Sequence, residues 1–116
     1  MTVPVQGQHL IADVVARAEL DANQIEAFMS GVVKHIGLTV IHYWHQDFPN
    51  GGAFGPGISA FYILSESHFV VHTAPERQRV NLDLFSCRPF VIEPVRRAMQ
   101  EAWDVRHWTR WDIIAR

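Results

Sequence analysis

Two periods organise the apolar positions of this chain. Ile25, Phe28, Met29, Val32, Val33 and Ile36 recur at three- and four-residue spacing, the repeat of an α-helix that buries one face. Asp21, after Glu19-Leu20, with Gln24 three positions later predicts a capping box at the start of that helix, and Gly37 ends it. A second helix is predicted from Glu93-Pro94, where proline is tolerated in the first turn, burying Val95, Ala98, Met99, Ala102 and Trp103. The other apolar runs are short and rich in β-branched and aromatic residues. They predict strands at Gln8–Val15, Leu38–Trp44, Ile58–Leu64, Phe69–Thr73 and Val80–Phe85, with Val105–Ile114 as a closing strand. The glycine- and proline-rich FPNGGAFGPG, Phe48 to Gly57, is predicted as a loop. Short gaps between the central strands favour antiparallel neighbours. The expected fold class is therefore α+β: a two-layer sandwich, with two helices packed on one face of a mainly antiparallel sheet.

A length of 116 residues suits one domain, so residues 1–116 are read as a single module. With 48% apolar and 19% charged residues the chain has enough to bury to fold, and disorder is excluded. The net charge of −2, with arginine and lysine dispersed, lacks the basic patch of a nucleic-acid binder, so a nucleic-acid partner is not expected. MTVPVQGQHL has no signal-peptide character and no apolar run is long enough to span a bilayer, so a soluble, cytoplasmic protein with no membrane partner is expected. The single cysteine, Cys87, forbids an intrachain disulfide and is either an inert buried thiol or a reactive one.

Candidate chemistry concentrates in LSESHFVVHTAPE, Leu64 to Glu76. On a strand, the period of two puts His68, Val70 and His72 on one face and Phe69 with Val71 on the other, with Ser67 at the strand entrance. Three readings compete. The histidines are ordinary sheet residues, or His68 and His72 hold a metal, or the segment belongs to a reaction carried out on the chain itself. No acidic or sulfur ligand joins the two histidines at metal-site spacing, so no metal is expected.

SESHFVVHTAPE, Ser65 to Glu76, followed by DLFSC, Asp83 to Cys87, resembles the prokaryotic S-adenosylmethionine decarboxylase family, whose core reads S-E-S-H-x-x-x-H-T-W-P-E and then D-[LV]-F-[TS]-C. Fourteen residues separate His72 from Cys87, as in the family, and GQHLIAD and GIS, at Gly7 to Asp13 and Gly57 to Ser59, resemble two further segments in the same order. The resemblance implies a self-processing proenzyme. It would cut itself between Glu66 and Ser67 into a β chain, 1–66, and an α chain, 67–116, and convert Ser67 to a covalent pyruvoyl group. That group would form a Schiff base with the substrate amine and act as the electron sink for loss of carbon dioxide. By the same resemblance His72 is the base in processing, Ser59 a processing serine that orients it, Cys87 the proton donor in catalysis, and His68 a pocket residue. Glu76 would accept bonds from ribose hydroxyls. The family pairs as a homodimer, and no metal is implied.

The substrate pocket departs from the family pattern. Ala74 replaces the family tryptophan, and both Phe48 and Phe54 are candidates for the aromatic that stacks on adenine. Arg77, Arg79 and Arg88 add positive charge. The expected reaction is decarboxylation of S-adenosylmethionine to the aminopropyl donor of spermidine and polyamine biosynthesis. The alternatives are a pyruvoyl-dependent decarboxylase of ornithine or arginine, with Asp47 or Glu76 meeting the basic side chain, and a non-catalytic partner subunit or binding protein.

Overall fold

The structure, a computed structural model, describes residues 7–17, 19–52 and 55–116. Strand β1 is Gln8–Val15 and helix α1 is Ala22–Ile36; β2 is Val40–Gly52, β3 Gly55–Leu64, β4 Ser67–Ala74 and β5 Arg79–Ser86; α2 is Glu93–Trp103 and β6 His107–Ala115. All six strands join in one sheet in the order β2-β3-β4-β5-β1-β6, every neighbouring pair antiparallel. This is the expected α+β two-layer sandwich.

The capping box at α1 forms as its sequence predicts. Gln24 N–H donates to the Asp21 carboxylate at 2.8 Å and Asp21 N–H donates to Gln24 Oε1 at 2.9 Å, satisfying amide groups a helix start otherwise leaves unpaired. Gly37 closes the helix in the left-handed region, φ 72°. Ile25, Phe28, Met29, Val32 and Val33 then face the sheet, where they meet Leu10, Ala12, Val14, Phe69, Val71, Val80, Leu82 and Leu84 from alternate strand positions. From α2, Val95, Met99 and Trp103 are buried in the same core, whereas Ala98 and Ala102, also expected inside, are only partly buried at its margin.

Of the expected loop from Phe48 to Gly57, the described residues 48–52 and 55–57 instead extend β2 and β3, which pair as a long hairpin. Proline is tolerated there because β2 is an edge strand, so the N–H that Pro49 lacks removes no bond from an inner ladder. Gly57 is required by close approach: a Cβ at that position would lie 2.1 Å from the carbonyl oxygen of Thr73 on the neighbouring strand. Phe54 falls outside the described residues. β2 begins two residues later than the expected strand, and β6 starts at His107, two residues after the expected Val105, which is buried in the core.

Both helices lie on one face, so the other face of the sheet has no covering layer. Trp44, Phe48, Ile63 and Ile114 stand exposed on it among polar groups that include His9, His68 and His72. Among the described residues no helix is long and apolar enough to cross a membrane.

Loss of the capping box gives a direct check on α1. Asp21→Ala is expected to cost about 1 kcal/mol, or roughly 4 °C in Tm, with an unchanged denaturant m-value. Equilibrium urea unfolding reads both.

Candidate active site

Ser67 opens β4 directly after the two-residue turn Ser65-Glu66, and β3 and β4 pair up to that turn, Leu64 opposite Ser67. Tight two-residue hairpins favour turns with positive φ at the first central residue, because these match the sheet twist. Here the positive φ falls on the second, Glu66, at 58°. A non-glycine residue in that region stores on the order of 1–2 kcal/mol, and the stored strain sits on the residue whose carbonyl precedes Ser67. Ser65 N–H donates to Thr39 O at 3.1 Å, tying the turn to the start of the hairpin. Ser67 itself is buried, and the backbone N–H of Cys87 donates to its Oγ at 3.0 Å. Cys87, free and half-buried, follows the last residue of β5, so the strand ends of β4 and β5 bring the expected pyruvoyl precursor and the expected acid together.

A second group of residues lies further along the sheet. Ser59 and His72 are directly opposed on β3 and β4, with Ser59 Oγ 2.7 Å from His72 Nδ1. That contact leaves Nε2 as the nitrogen free to work as a base, which requires the proton on Nδ1, donated to Ser59 Oγ. Burial lowers the His72 pKa below its ordinary 6.5, against an opposing pull from Asp83, so the imidazole is neutral and able to accept a proton at neutral pH. Beside the pair opens a cleft of about 890 Å³ lined by Phe48, Gly55, Gly57, Ser59, His72, Ala74, Arg77, Arg79 and Asn81, among others. This is within the size range of pockets that take drug-sized or nucleoside-sized molecules. Phe48 offers an aromatic face there, and Ala74 leaves space where the family core has tryptophan. Glu76 projects from a 3₁₀ turn, Pro75–Arg77, so that its carboxylate packs on Gly55; a Cβ at Gly55 would stand 3.0 Å from its Oε2. Arg88 turns the other way and donates to the carbonyl of Gly37 at the end of α1.

Ser67 and His72 are not brought together within one chain. They are five residues apart on a strand that rises about 3.3 Å per residue, hence roughly 16 Å apart, and an odd offset sends their side chains to opposite faces. Ser67 alternates with Phe69 and Val71 on the helix side, whereas His68 and His72 share the open face, as their spacing predicts. The two histidines are themselves roughly 13 Å apart along the strand, too far to share an ion. His68 instead meets His9 and Asp83, whose functional placement the sequence reading missed: His9 Nε2 and His68 Nε2 lie 2.7 and 3.1 Å from the same oxygen, Asp83 Oδ1. Both residues sit inside the motifs GQHLIAD and DLFSC. The signal that could have found them was strand parity, which puts both on the open face, but their meeting depends on β1 lying beside β5, across a separation of 74 residues.

The lowered pKa of His72 has a consequence for stability. Above the ordinary imidazole value both folded and unfolded chains hold His72 neutral. As pH falls through that value the unfolded chain binds a proton that the folded chain refuses, and stability is lost until the folded imidazole protonates as well. The His72 NMR titration midpoint is expected below 6.5. In urea titrations between about pH 7.5 and pH 5, His72→Gln is expected to lose stability less steeply than the parent chain.

The family model described as S-adenosylmethionine decarboxylase matches residues 8–113. The S-adenosylmethionine decarboxylase proenzyme of Persephonella marina is 29% identical over 86 residues, covering 70% of this chain and 59% of the relative. The proenzyme of the same name from Aquifex aeolicus is 31% identical over 87 residues, covering 70% and 58%, and that from Archaeoglobus fulgidus is 31% identical over 87 residues, covering 72% of each. The chain thus spans less than two thirds of the length of the first two relatives. In fold it is similar to the crystal structure of the adenosylmethionine decarboxylase of Aquifex aeolicus, with a TM-score of 0.78, 22% identity, and coverage of 98% of this chain and 92% of that one. On a model match that runs from the first strand into the last, the chain belongs to the S-adenosylmethionine decarboxylase family.

Proposed function

We propose that this chain is a self-cleaving pyruvoyl-dependent decarboxylase of S-adenosylmethionine that works as a homodimer. The observation that carries the reading is the Glu66-Ser67 junction: a residue with φ 58° precedes a buried serine whose Oγ is held by the Cys87 N–H. In processing, Ser67 Oγ attacks the Glu66 carbonyl carbon, and the peptide C–N bond is exchanged for a C–O ester. A base then takes the Cα proton of residue 67, the Cβ–O bond breaks, and Glu66 departs as a carboxylate. Hydration of the resulting enamine releases ammonia and leaves a ketone at residue 67. The surroundings fit such a group, which has one heavy atom fewer than a serine residue and needs no new space. When formed, it supplies a carbonyl conjugated to the adjoining amide, an electron sink for the pair left behind as carbon dioxide departs. Cys87, whose backbone N–H meets Ser67 Oγ, would return a proton from its thiol.

The base for the Cα proton is His72, and geometry favours its coming from a second copy of the chain. Within one chain it lies too far from Ser67 and on the other face, while the uncovered face carries Trp44, Phe48 and Ile63, an apolar surface suited to a second sheet. A pair of chains packed through these faces would set the Ser67 end of one, whose Cα–H lies on the side of the backbone away from Oγ, against the Ser59-His72 end of the other, with the cleft of the second completing the substrate site. Phe48 would then stack on adenine, and Glu76 would accept bonds from the ribose hydroxyls. The relatives' name, S-adenosylmethionine decarboxylase proenzyme, supports this substrate over ornithine or arginine.

Intact mass of the purified protein is expected to show two fragments, 1–66 and 67–116, and Ser67→Ala is expected to leave one uncut chain. Cys87→Ala should cut normally yet release carbon dioxide from S-adenosylmethionine at least 100-fold more slowly, in the range for loss of a general acid. Mixed after separate purification, Ser67→Ala and His72→Ala chains, each inert alone, are expected to cut the Ser67 of the His72→Ala chain; no cut product would exclude the shared site. Glu66→Gly, which removes the strain at the turn, is expected to slow cutting by about 5-fold, the equivalent of roughly 1 kcal/mol.

A further inference from the structure

We infer that Asp83 is a positioning residue for His68, the residue that follows the scissile bond, and that it holds the His68 ring with its proton on Nε2 and its lone pair on Nδ1. His9, itself in contact with Arg116, in turn holds Asp83. The inference rests on the function proposed above and deepens it by assigning His68 as the acceptor for the amino group of the substrate.

A carboxylate can only accept hydrogen bonds. Asp83 Oδ1 lies 2.7 Å from His9 Nε2 and 3.1 Å from His68 Nε2, so each imidazole donates an Nε2–H to it. The tautomer of His9 has an independent witness. Arg116 Nη1 stands 3.4 Å from His9 Nδ1, and a guanidinium has only donors, so Nδ1 of His9 bears the lone pair. Arg116 is itself laid over the Phe85 ring, 4.7 Å from its centroid. The ligand atoms of His9, His68 and Asp83 all fall within 4.8 Å of one another, a spacing that would also suit a divalent metal. A metal on His9 Nε2, however, needs the proton on Nδ1 with an acceptor beyond it, and Arg116 offers a donor there. The arrangement is therefore a hydrogen-bond hub, with no need of an ion.

The His68 ring is fixed in orientation as well as tautomer. It meets His9 edge-on with centroids 6.1 Å apart and leans on Phe85 at 5.7 Å. With Nε2–H engaged by Asp83, the remaining nitrogen is a lone-pair acceptor on the residue next to the reacting one. The amine of an α-amino acid must approach residue 67, and Nδ1 of His68 supplies it with a neutral acceptor. The hub flanks residue 67, and Asp83 also pulls the His72 pKa upward, so its removal leaves that imidazole neutral and the base of self-cleavage available.

Long-range ¹H–¹⁵N spectra of the purified protein, cut or uncut, should show His9 and His68 both protonated on Nε2; a proton on Nδ1 of His68 would overturn the inference, whatever the fate of self-cleavage. Asp83→Ala is expected to cut fully by intact mass while kcat falls roughly 10–100-fold, the scale of losses at supporting partners of an active residue. Asp83→Asn, which keeps a carbonyl acceptor, should recover most of that loss. Unchanged kcat in Asp83→Ala, or equal loss in both variants, would refute a positioning role. Equimolar zinc is expected to leave the His9 and His68 signals in place, and their joint displacement would count against the hub in favour of a metal centre. An uncut parent chain, by contrast, would defeat the proposed function without touching the tautomer result.

Discussion

A six-stranded sheet with helices on one face only must hand alternate side chains of every strand to an uncovered face, and in this chain that alternation decides what can meet what. Core packing fixes the register: Phe69, Val71, Leu82 and Leu84 must lie under α1 and α2, so His68, His72 and Asp83 are turned outward with no freedom to exchange sides. A one-residue slip of β4 would bury two imidazoles and expose Phe69, at a cost in apolar burial of several kcal/mol. The chemistry is placed by the stability of the core, with the polar residues occupying what the core leaves over.

That constraint divides the candidate residues into two groups at opposite ends of the strands. At the β3–β4 turn lie Glu66, Ser67 and Cys87, with the His9–Asp83–His68 hub on the open face nearby. Further along lie Ser59, His72, Phe48 and the cleft. The first group has the group to be transformed but neither His72 nor the cleft. The second has a neutral base and a pocket but nothing to act on. Antiparallel apposition of two identical faces is the simplest arrangement in which each group completes the other.

Much of this was legible from the sequence, for physical reasons. α1 announces itself by a 3.6-residue period and by caps at both ends, Asp21-Gln24 and Gly37, all local signals. The faces of β4 follow from parity once the strand is placed. Both arms of the β2–β3 hairpin were legible, but its far end reads as a loop because glycine and proline normally interrupt strands, whereas Pro49 sits on an edge where its missing N–H costs the sheet nothing and Gly57 is demanded by a neighbouring carbonyl. The Asp83 hub was not legible, because it depends on β1 inserting between β5 and β6, an order that no local pattern encodes. Nor could the motif reveal that Ser67 and His72, five letters apart, point in opposite directions.

The insertion of β1 has one more consequence. If the chain is cut after Glu66, β1, α1, β2 and β3 belong to one product and β4, β5, α2 and β6 to the other, yet β1 remains paired on both sides with strands of the second product, and β3 with β4. The two polypeptides are then interlaced through a shared sheet, and neither can leave without the other unfolding. The precursor can refold alone at any dilution; the cut protein, once unfolded, must find its complement, and its recovery becomes dependent on concentration. Maturation would thus turn a reversible folding reaction into a commitment made once, during the first folding of the intact chain.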